Sequence, residues 1–361
     1  MQIFRLALTG DYLNEDGALV SGDIGLSLLD NHPQIQHHFI KALAPSREDP
    51  GYWQRFYSLE VAPEHIREVD GLVVLRPWVK PSTFAEGAET LTVIGRAGVG
   101  YDKIDVAACT ANDVLLFNAP ESLTHSTASS ALMFMLALAK RLPLQERLVR
   151  TGRWDLQSQA IGIELQRRTL GIIGLGRTGR ELARLVAPFE MRVLAYSPSA
   201  DPMQAEQLGI ELVSMESLMS ESDFVSVHSN LTPDKHKMIR AEHFALMKPT
   251  AYFINVARGE LVDQAALVHV LQEKRIAGAG LDVFEHEPLP ITDPLVALDN
   301  VILTPHWSPA TYDIKLLVAE VIFGGMIRVS RGQLPENILN PAVLDRALFQ
   351  RKLARFATAT V

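Results

Sequence analysis

Three strand-like runs in the second half of the chain end in residues of complementary chemistry. AYFINVARGELVD carries Arg258, AGAGLDVFEHEPLP carries Asp282 and Glu287, and VILTPHWSPAT carries His306. In doubly wound sheets ligands bind beyond the carboxyl ends of the strands, so the residues just past each run share one neighbourhood. Arg258 can hold a carboxylate in a two-point fork. His306 can exchange a proton with a substrate oxygen near neutral pH, and Glu287, bonded to the far ring nitrogen, would orient the ring and favour its charged form. Such a set suits an anionic carbonyl substrate. Singly, an Arg is usually solvated and a His usually covers a surface, so the argument rests on their joint placement. His228, ending FVSVHS, passes the same positional test. It is assigned to the wall of a cofactor site, with a purely structural role as the alternative.

A fourth run, TLGIIGLGRTG, places Gly174, Gly176 and Gly179 in the pattern G-x-G-x-x-G between an apolar strand and a helical stretch. The glycines would serve a tight turn, close approach to a pyrophosphate and close helix–strand packing. Arg177 and Thr178 would offer helix N-terminal N–H groups to the phosphates. The pattern alone is weak, and its strand–turn–helix–strand setting is what strengthens it. The next strand, MRVLAYS, should end in an acid that grips a ribose, but it ends in Ser197. Serine removes the repulsion toward a 2′-phosphate, while PSADPMQAEQ beyond it supplies no Arg or Lys to bind one. The expected cofactor is therefore NAD or NADP with weak discrimination.

The elements that must position these residues follow from rhythm. Before residue 121, β-rich runs (IFRLAL, DGLVVLR, TLTVIGRAG, VLLFNAP) alternate with helical stretches, and a second βα series of six strands follows residue 168. Such alternation predicts parallel α/β sheets. Between the two lies SLTHSTASSALMFMLALAKRL, helical and apolar nearly all round, expected to be buried between domains or subunits, or else within one core. DIKLLVAEVIFGGMIRVSRG reads as one long helix, and the tail beyond it is too short for a domain and should pack back on the first lobe. The expected fold is two doubly wound α/β lobes, the second inserted into the first. The predicted boundaries are residues 1–121 for a first lobe, 122–308 for a nucleotide-binding lobe, and 309–361 for a return helix and tail.

Bulk properties exclude several classes. The chain has 361 residues, 47% apolar and 21% charged, which is long enough for two cores. Its net charge of −8 without a basic run argues against nucleic-acid binding. A single cysteine, Cys109, permits no internal disulfide and suggests a reducing compartment. No signal peptide and no apolar run long enough for a bilayer is read, so a cytoplasmic protein without a membrane partner is expected. No metal site is read.

The motifs GRAGVGYDKIDV, NAPESLTHSTA, TLGIIGLGRTG, NVARGELVD, GAGLDVFEHEPLP and LTPHWSPAT, in this order, resemble the D-isomer-specific 2-hydroxyacid dehydrogenases from about residue 72 to 340. The resemblance implies a Rossmann NAD(P)-binding lobe inserted into a flavodoxin-like substrate lobe, a homodimer built around the linking helix, and Arg258, Glu287 and His306 as the catalytic set. It selects Glu287, which precedes Pro288, over Glu285. It implies that Gly98, Val99 and Gly100 receive the substrate carboxylate and that Arg76 faces the substrate. It aligns Thr127, Ser229, Asn230, Val256 and Ala257 with cofactor contacts, and Asp282 with the partner of the nicotinamide carboxamide. Three departures stand out. Residues 14–53 are longer than the corresponding family region and have no assigned place. TASSA lacks the acid that usually follows the alanine. Trp307 is a large neighbour for the catalytic His, read as core filling with narrowing of the pocket as the alternative. The expected activity is hydride transfer between NAD(P)H and a 2-oxo acid, giving a D-2-hydroxy acid. The rivals are a dinucleotide-sensing, corepressor-like protein and a dehydrogenase of another small anion such as formate or phosphite. Arg76 leaves a phosphorylated substrate open, and an interlobe salt bridge equally so.

Overall fold

A computed structural model describes residues 2–20, 22–44, 46 and 51–357. The chain divides into two compact units, Met1–Leu123 with Thr311–Val361, and Thr124–Ala310. Of the 14–53 segment, residues 21, 45 and 47–50 lie outside the description, as do residues 358–361 of the tail.

The discontinuous unit is built on a five-stranded parallel sheet: β1 Phe4–Thr9, β2 Ile35–Ile40, β3 Gly71–Val74, β4 Val93–Arg96 and β5 Leu115–Asn118. Their order, β2-β1-β3-β4-β5, is the flavodoxin-like doubly wound order. β3 and the apolar run of β5 are fully buried, as expected of strands covered on both faces. β2 answers part of the question left by residues 14–53. It is an edge strand, IQHHFI, whose middle residues face solvent. Before it come a turn closed by the Ala18 N–H donating to Asn14 Oδ1 (2.8 Å) and a short 3-10 turn at Leu26–Leu29; after it comes a helix at Tyr52–Ser58. The return helix Tyr312–Val329 lays Ile322, Phe323, Met326 and Val329 into the same core as Phe4, Leu6, Leu8 and Phe117. The tail adds Val343, Phe349 and Phe356, and Asn340 continues the edge of β5 by accepting from the Leu116 N–H and donating to the Val114 carbonyl.

The contiguous unit holds seven parallel strands: β6 Thr169–Ile173, β7 Arg192–Tyr196, β8 Ile210–Leu212, β9 Phe224–Val227, β10 Tyr252–Asn255, β11 Gly278–Leu281 and β12 Val301–Leu303. Their order is β12-β11-β10-β9-β6-β7-β8, so the direction of winding reverses between β6 and β9. In such sheets that reversal opens the crevice for a dinucleotide. The six strands read from sequence are joined by a seventh, β8, three residues long and mostly exposed. The linking helix runs over Thr124–Ala139 and packs Phe134, Met135 and Leu138 into the unit's core. Arg141, in the left-handed region at φ 52°, breaks it before a second helix, Leu142–Arg150. No helix among the described residues is long and apolar enough to cross a membrane.

Candidate active site

The glycine turn follows β6 directly. Gly174 has φ 97°, and a Cβ there would lie 2.6 Å from the Ser229 nitrogen, so only glycine lets this turn meet the loop after β9. At Gly179 a Cβ would strike the Gly174 carbonyl oxygen, so its absence permits close helix–strand packing. Gly176 differs from both. It N-caps the ten-residue helix Arg177–Val186 without any side-chain cap, and a Cβ there would meet nothing within 4 Å. A helix N-terminus with no capping side chain and open space before it is a cradle for phosphate oxygens. These residues fit a dinucleotide.

Ser197, half-buried just past β7, uses its carbonyl to accept from the Ala200 N–H at 3.0 Å. Asp201, the nearest acid downstream, caps the helix Pro202–Gln207 by accepting from the Met203 N–H at 2.9 Å. Beyond β9, the His228 ring meets the Ser226 hydroxyl through Nε2 at 2.8 Å, while its Nδ1 is buried without a partner. Burial pushes the His228 pKa down to about 4, so the ring is neutral at physiological pH. His228 and Ser229 form the wall against Gly174. Asn230 is exposed and accepts from Lys235 Nζ at 2.7 Å, and Thr127 is half-buried on the linking helix.

The loop after β10 is shaped by Asn255, a buried residue not singled out from the sequence. Its amide donates to the Arg258 carbonyl (2.9 Å) and its Oδ1 accepts from the Ala257 N–H (3.0 Å). Arg258 is half-buried and donates through Nη1 to the Ala257 carbonyl at 2.8 Å. Val256 sends its side chain into the core beside Ile254 and Phe224, so only its backbone is left for a ligand. At Gly259 the backbone touches that of Phe284, leaving no room for a Cβ. This contact sets the Arg258 loop against the loop that carries Glu287.

Glu287 and His306 then meet directly, His306 Nδ1 lying 2.7 Å from Glu287 Oε2. The other carboxylate oxygen accepts from the Phe284 N–H at 3.1 Å. Glu285 is occupied elsewhere, paired with Lys237 Nζ at 2.6 Å. His306 adopts φ 52°, a conformation that costs a non-glycine residue about 1 kcal/mol or more and persists only where neighbours over-determine it. Asp282 supplies that restraint. Its Oδ1 accepts from the Thr304 hydroxyl (2.5 Å) and from the N–H groups of Trp307 and Ser308 (3.0 Å each), and its carbonyl accepts from the His306 N–H at 2.8 Å. The core-filling reading of Trp307 is corrected: the residue is 45% exposed and belongs to no core of its unit.

The remaining candidates lie in the other unit. Gly98 has φ 142°, and its carbonyl accepts from the Ala119 N–H at 3.1 Å. The Val99 carbonyl accepts from Asn118 Nδ2 at 2.7 Å, so the Gly98–Val99–Gly100 loop is tied to the end of β5. Arg76 follows β3, and its backbone N–H donates to Asp11 Oδ2 at 3.0 Å.

A winding reversal, an open glycine cradle and a His–Glu pair at neighbouring strand ends define a dinucleotide-dependent oxidoreductase. Residues 132–308 match the model of the D-isomer specific 2-hydroxyacid dehydrogenase NAD binding domain. The chain is 38% identical over 314 residues to the glyoxylate reductase of Korarchaeum cryptofilum, covering 86% of this chain and 92% of that protein. It is 40% identical over 278 residues to the D-3-phosphoglycerate dehydrogenase of Methanocaldococcus jannaschii, covering 77% of this chain and 53% of the relative. Among solved structures it resembles the NADPH-dependent glyoxylate/hydroxypyruvate reductase of Sinorhizobium meliloti bound to NADP and malonate, with a TM-score of 0.75, 26% identity, and coverage of 94% and 97%. The chain belongs to the D-isomer-specific 2-hydroxyacid dehydrogenase family.

Proposed function

We propose that the protein reduces small 2-oxo acids of the glyoxylate and hydroxypyruvate class to D-2-hydroxy acids, with His306 as the proton donor. The carrying observation is the 2.7 Å contact between His306 Nδ1 and Glu287 Oε2. That contact commits Nδ1–H to the carboxylate and leaves Nε2 as the atom that gives its proton to the substrate carbonyl oxygen. A bound nicotinamide supplies the hydride that C2 receives. Arg258 anchors the substrate carboxylate and adds positive charge where the alkoxide develops, and the Gly98–Val99–Gly100 loop receives the carboxylate with its backbone. Asp282, by holding the backbone N–H groups of His306 and of the two residues after it, keeps the ring in place through the reaction. The Gly174–Gly179 turn holds the pyrophosphate of NAD or NADP, with His228, Ser229 and the Val256–Ala257 backbone along its wall. A homodimer is the assembly this reading expects. The exposed Leu142, Val149, Trp154 and Ile161 beyond the linking helix suit such a contact.

The test is cofactor oxidation by the purified protein with NADH or NADPH and a panel of glyoxylate, hydroxypyruvate, pyruvate and larger apolar 2-oxo acids. Turnover of the small acids is expected. If both cofactors bind and no acid is reduced, the protein senses dinucleotides instead.

A further inference from the structure

The turn that carries Glu287 is held from its other side as well. Glu287 Oε1 accepts the Phe284 N–H while Oε2 meets His306 Nδ1, so the turn and the proton-transfer pair move together. Glu285 lies within this turn. Its backbone N–H donates to Gln264 Oε1 at 2.9 Å, and Gln264 is itself fixed by donating to Asp293 Oδ2 at 2.9 Å. Its carboxylate, with 18% of the side chain exposed, pairs with Lys237 Nζ at 2.6 Å. Lys237 belongs to the loop after β9, which opens with His228 and Ser229. That loop is bound to the Arg258 loop by a short parallel ladder. The Lys237 N–H donates to the Glu260 carbonyl (2.8 Å), the Ile239 N–H to the Leu261 carbonyl (3.0 Å), and the Asp263 N–H to the Ile239 carbonyl (2.9 Å). Lys237 itself sits at φ 50°, where a long side chain is disfavoured and glycine or asparagine serves the backbone better. The backbone therefore gives no reason for a lysine here, and the reach of its ammonium to Glu285 does. Asp263, the other carboxylate acting on that ammonium, is engaged in capping its helix by accepting from the Ala266 N–H at 3.1 Å.

We infer that Lys237 and Glu285 are positioning residues that hold the Glu287 turn against His306, joining the loops after β9, β10 and β11 into one support for proton transfer. The inference rests on the function proposed above and adds residues to its machinery. Glu285 has two restraints, one from Gln264 on its backbone and one from Lys237 on its carboxylate. With the second removed, the turn can pivot about the first. The Glu287–His306 contact then lengthens for part of the time, and the ring is less often aligned for proton transfer. The cofactor wall is spared, because the ladder that fixes the loop after β9 is made of backbone bonds and outlasts the Lys237 side chain.

The test compares Lys237→Asn, Lys237→Arg, Glu285→Gln and the double variant Lys237→Asn/Glu285→Gln with the wild type. Turnover of glyoxylate is measured per cofactor-binding site, counted by fluorescence titration with NADH or NADPH, with thermal melting alongside. Lys237→Asn suits the local backbone, and it should lower kcat by about tenfold, within the roughly hundredfold that a 1 Å misplacement can cost. Its substrate KM and cofactor Kd should stay within about threefold of wild type, the mark of an interaction felt in the reaction step. Lys237→Arg keeps a charged donor for Glu285 and should retain at least about half of wild-type kcat. Glu285→Gln should match Lys237→Asn, and the double variant should be slower than either by no more than about twofold, since all three remove one shared contact. A merely structural pair would lower the melting temperature and leave kcat per binding site unchanged. That result overturns the inference, as does an equal loss in Lys237→Arg and Lys237→Asn. A wild-type protein that binds cofactor and reduces no 2-oxo acid overturns the parent reading, and this inference with it.

Discussion

His306 shows how much can ride on one residue's surroundings. Its type and its place after a strand were legible from sequence, as were those of Arg258 and Glu287, because residues past the ends of parallel strands face ligands. The restraint on it was not legible. Asp282 grips the backbone of the two residues after His306, and Asn255 shapes the Arg258 loop, through side chain–backbone bonds that leave no periodic trace. The family resemblance aligns Asp282 with the partner of the nicotinamide carboxamide, and the structure shows its hold on the His306 loop. If His306 supplies the proton, His306→Gln should lower kcat by about 10²–10⁴-fold while cofactor affinity stays nearly unchanged. Steady-state kinetics beside cofactor titration will show it. A variant that keeps more than about a tenth of wild-type kcat removes His306 from the proton-transfer role.

Among the elements, strands with continuous apolar runs were legible, and the two that lack them were not. β2 exposes Gln36, His37 and His38 on the sheet edge, and β8 has one buried residue in three, so neither gives a strand's sequence signature. Both are formed by tertiary pairing, β2 with β1 and β8 with β7. The turn after β7 carries the chain's departure at Ser197. With Asp201 spent on a helix cap, no carboxylate there is placed by its bonding to meet a ribose. Wild-type kcat/KM should therefore differ between NADH and NADPH by no more than about 1–3 kcal/mol in barrier, the scale of one altered pocket contact. Ser197→Asp should push the ratio toward NADH by at least about tenfold, roughly one pKa unit's worth of interaction. Rejection of NADPH by more than about 10³-fold in the wild type, or an unmoved ratio in the variant, would assign discrimination to another residue.

For the whole molecule, the two units differ in how the chain supplies them. The unit Thr124–Ala310 is continuous in sequence and holds complete cores of its own. The other draws one of its two cores from both ends of the chain, while the second lies within residues 7–116. Ile322, Phe323, Met326 and Val329 of the return helix, and Val343, Phe349 and Phe356 beyond it, fill the core that Phe4, Leu6 and Phe117 begin. Expressed separately, residues 124–310 should unfold in one cooperative thermal transition, and residues 1–123 should show none. Circular dichroism on both fragments decides, and a cooperative melt for 1–123 would contradict this division of labour. The same interleaving sets an order in time. β1 leaves the ribosome before the rest of its unit, yet the side chains that cover one of its faces follow roughly 300 residues later, a wait of about 15–60 s at ordinary elongation rates of about 5–20 residues per second. The inner unit is synthesised whole within that interval. During translation, then, the face of β1 that meets the return helix is enclosed only after the inner unit is complete, and its apolar side chains stay open to a chaperone until that point.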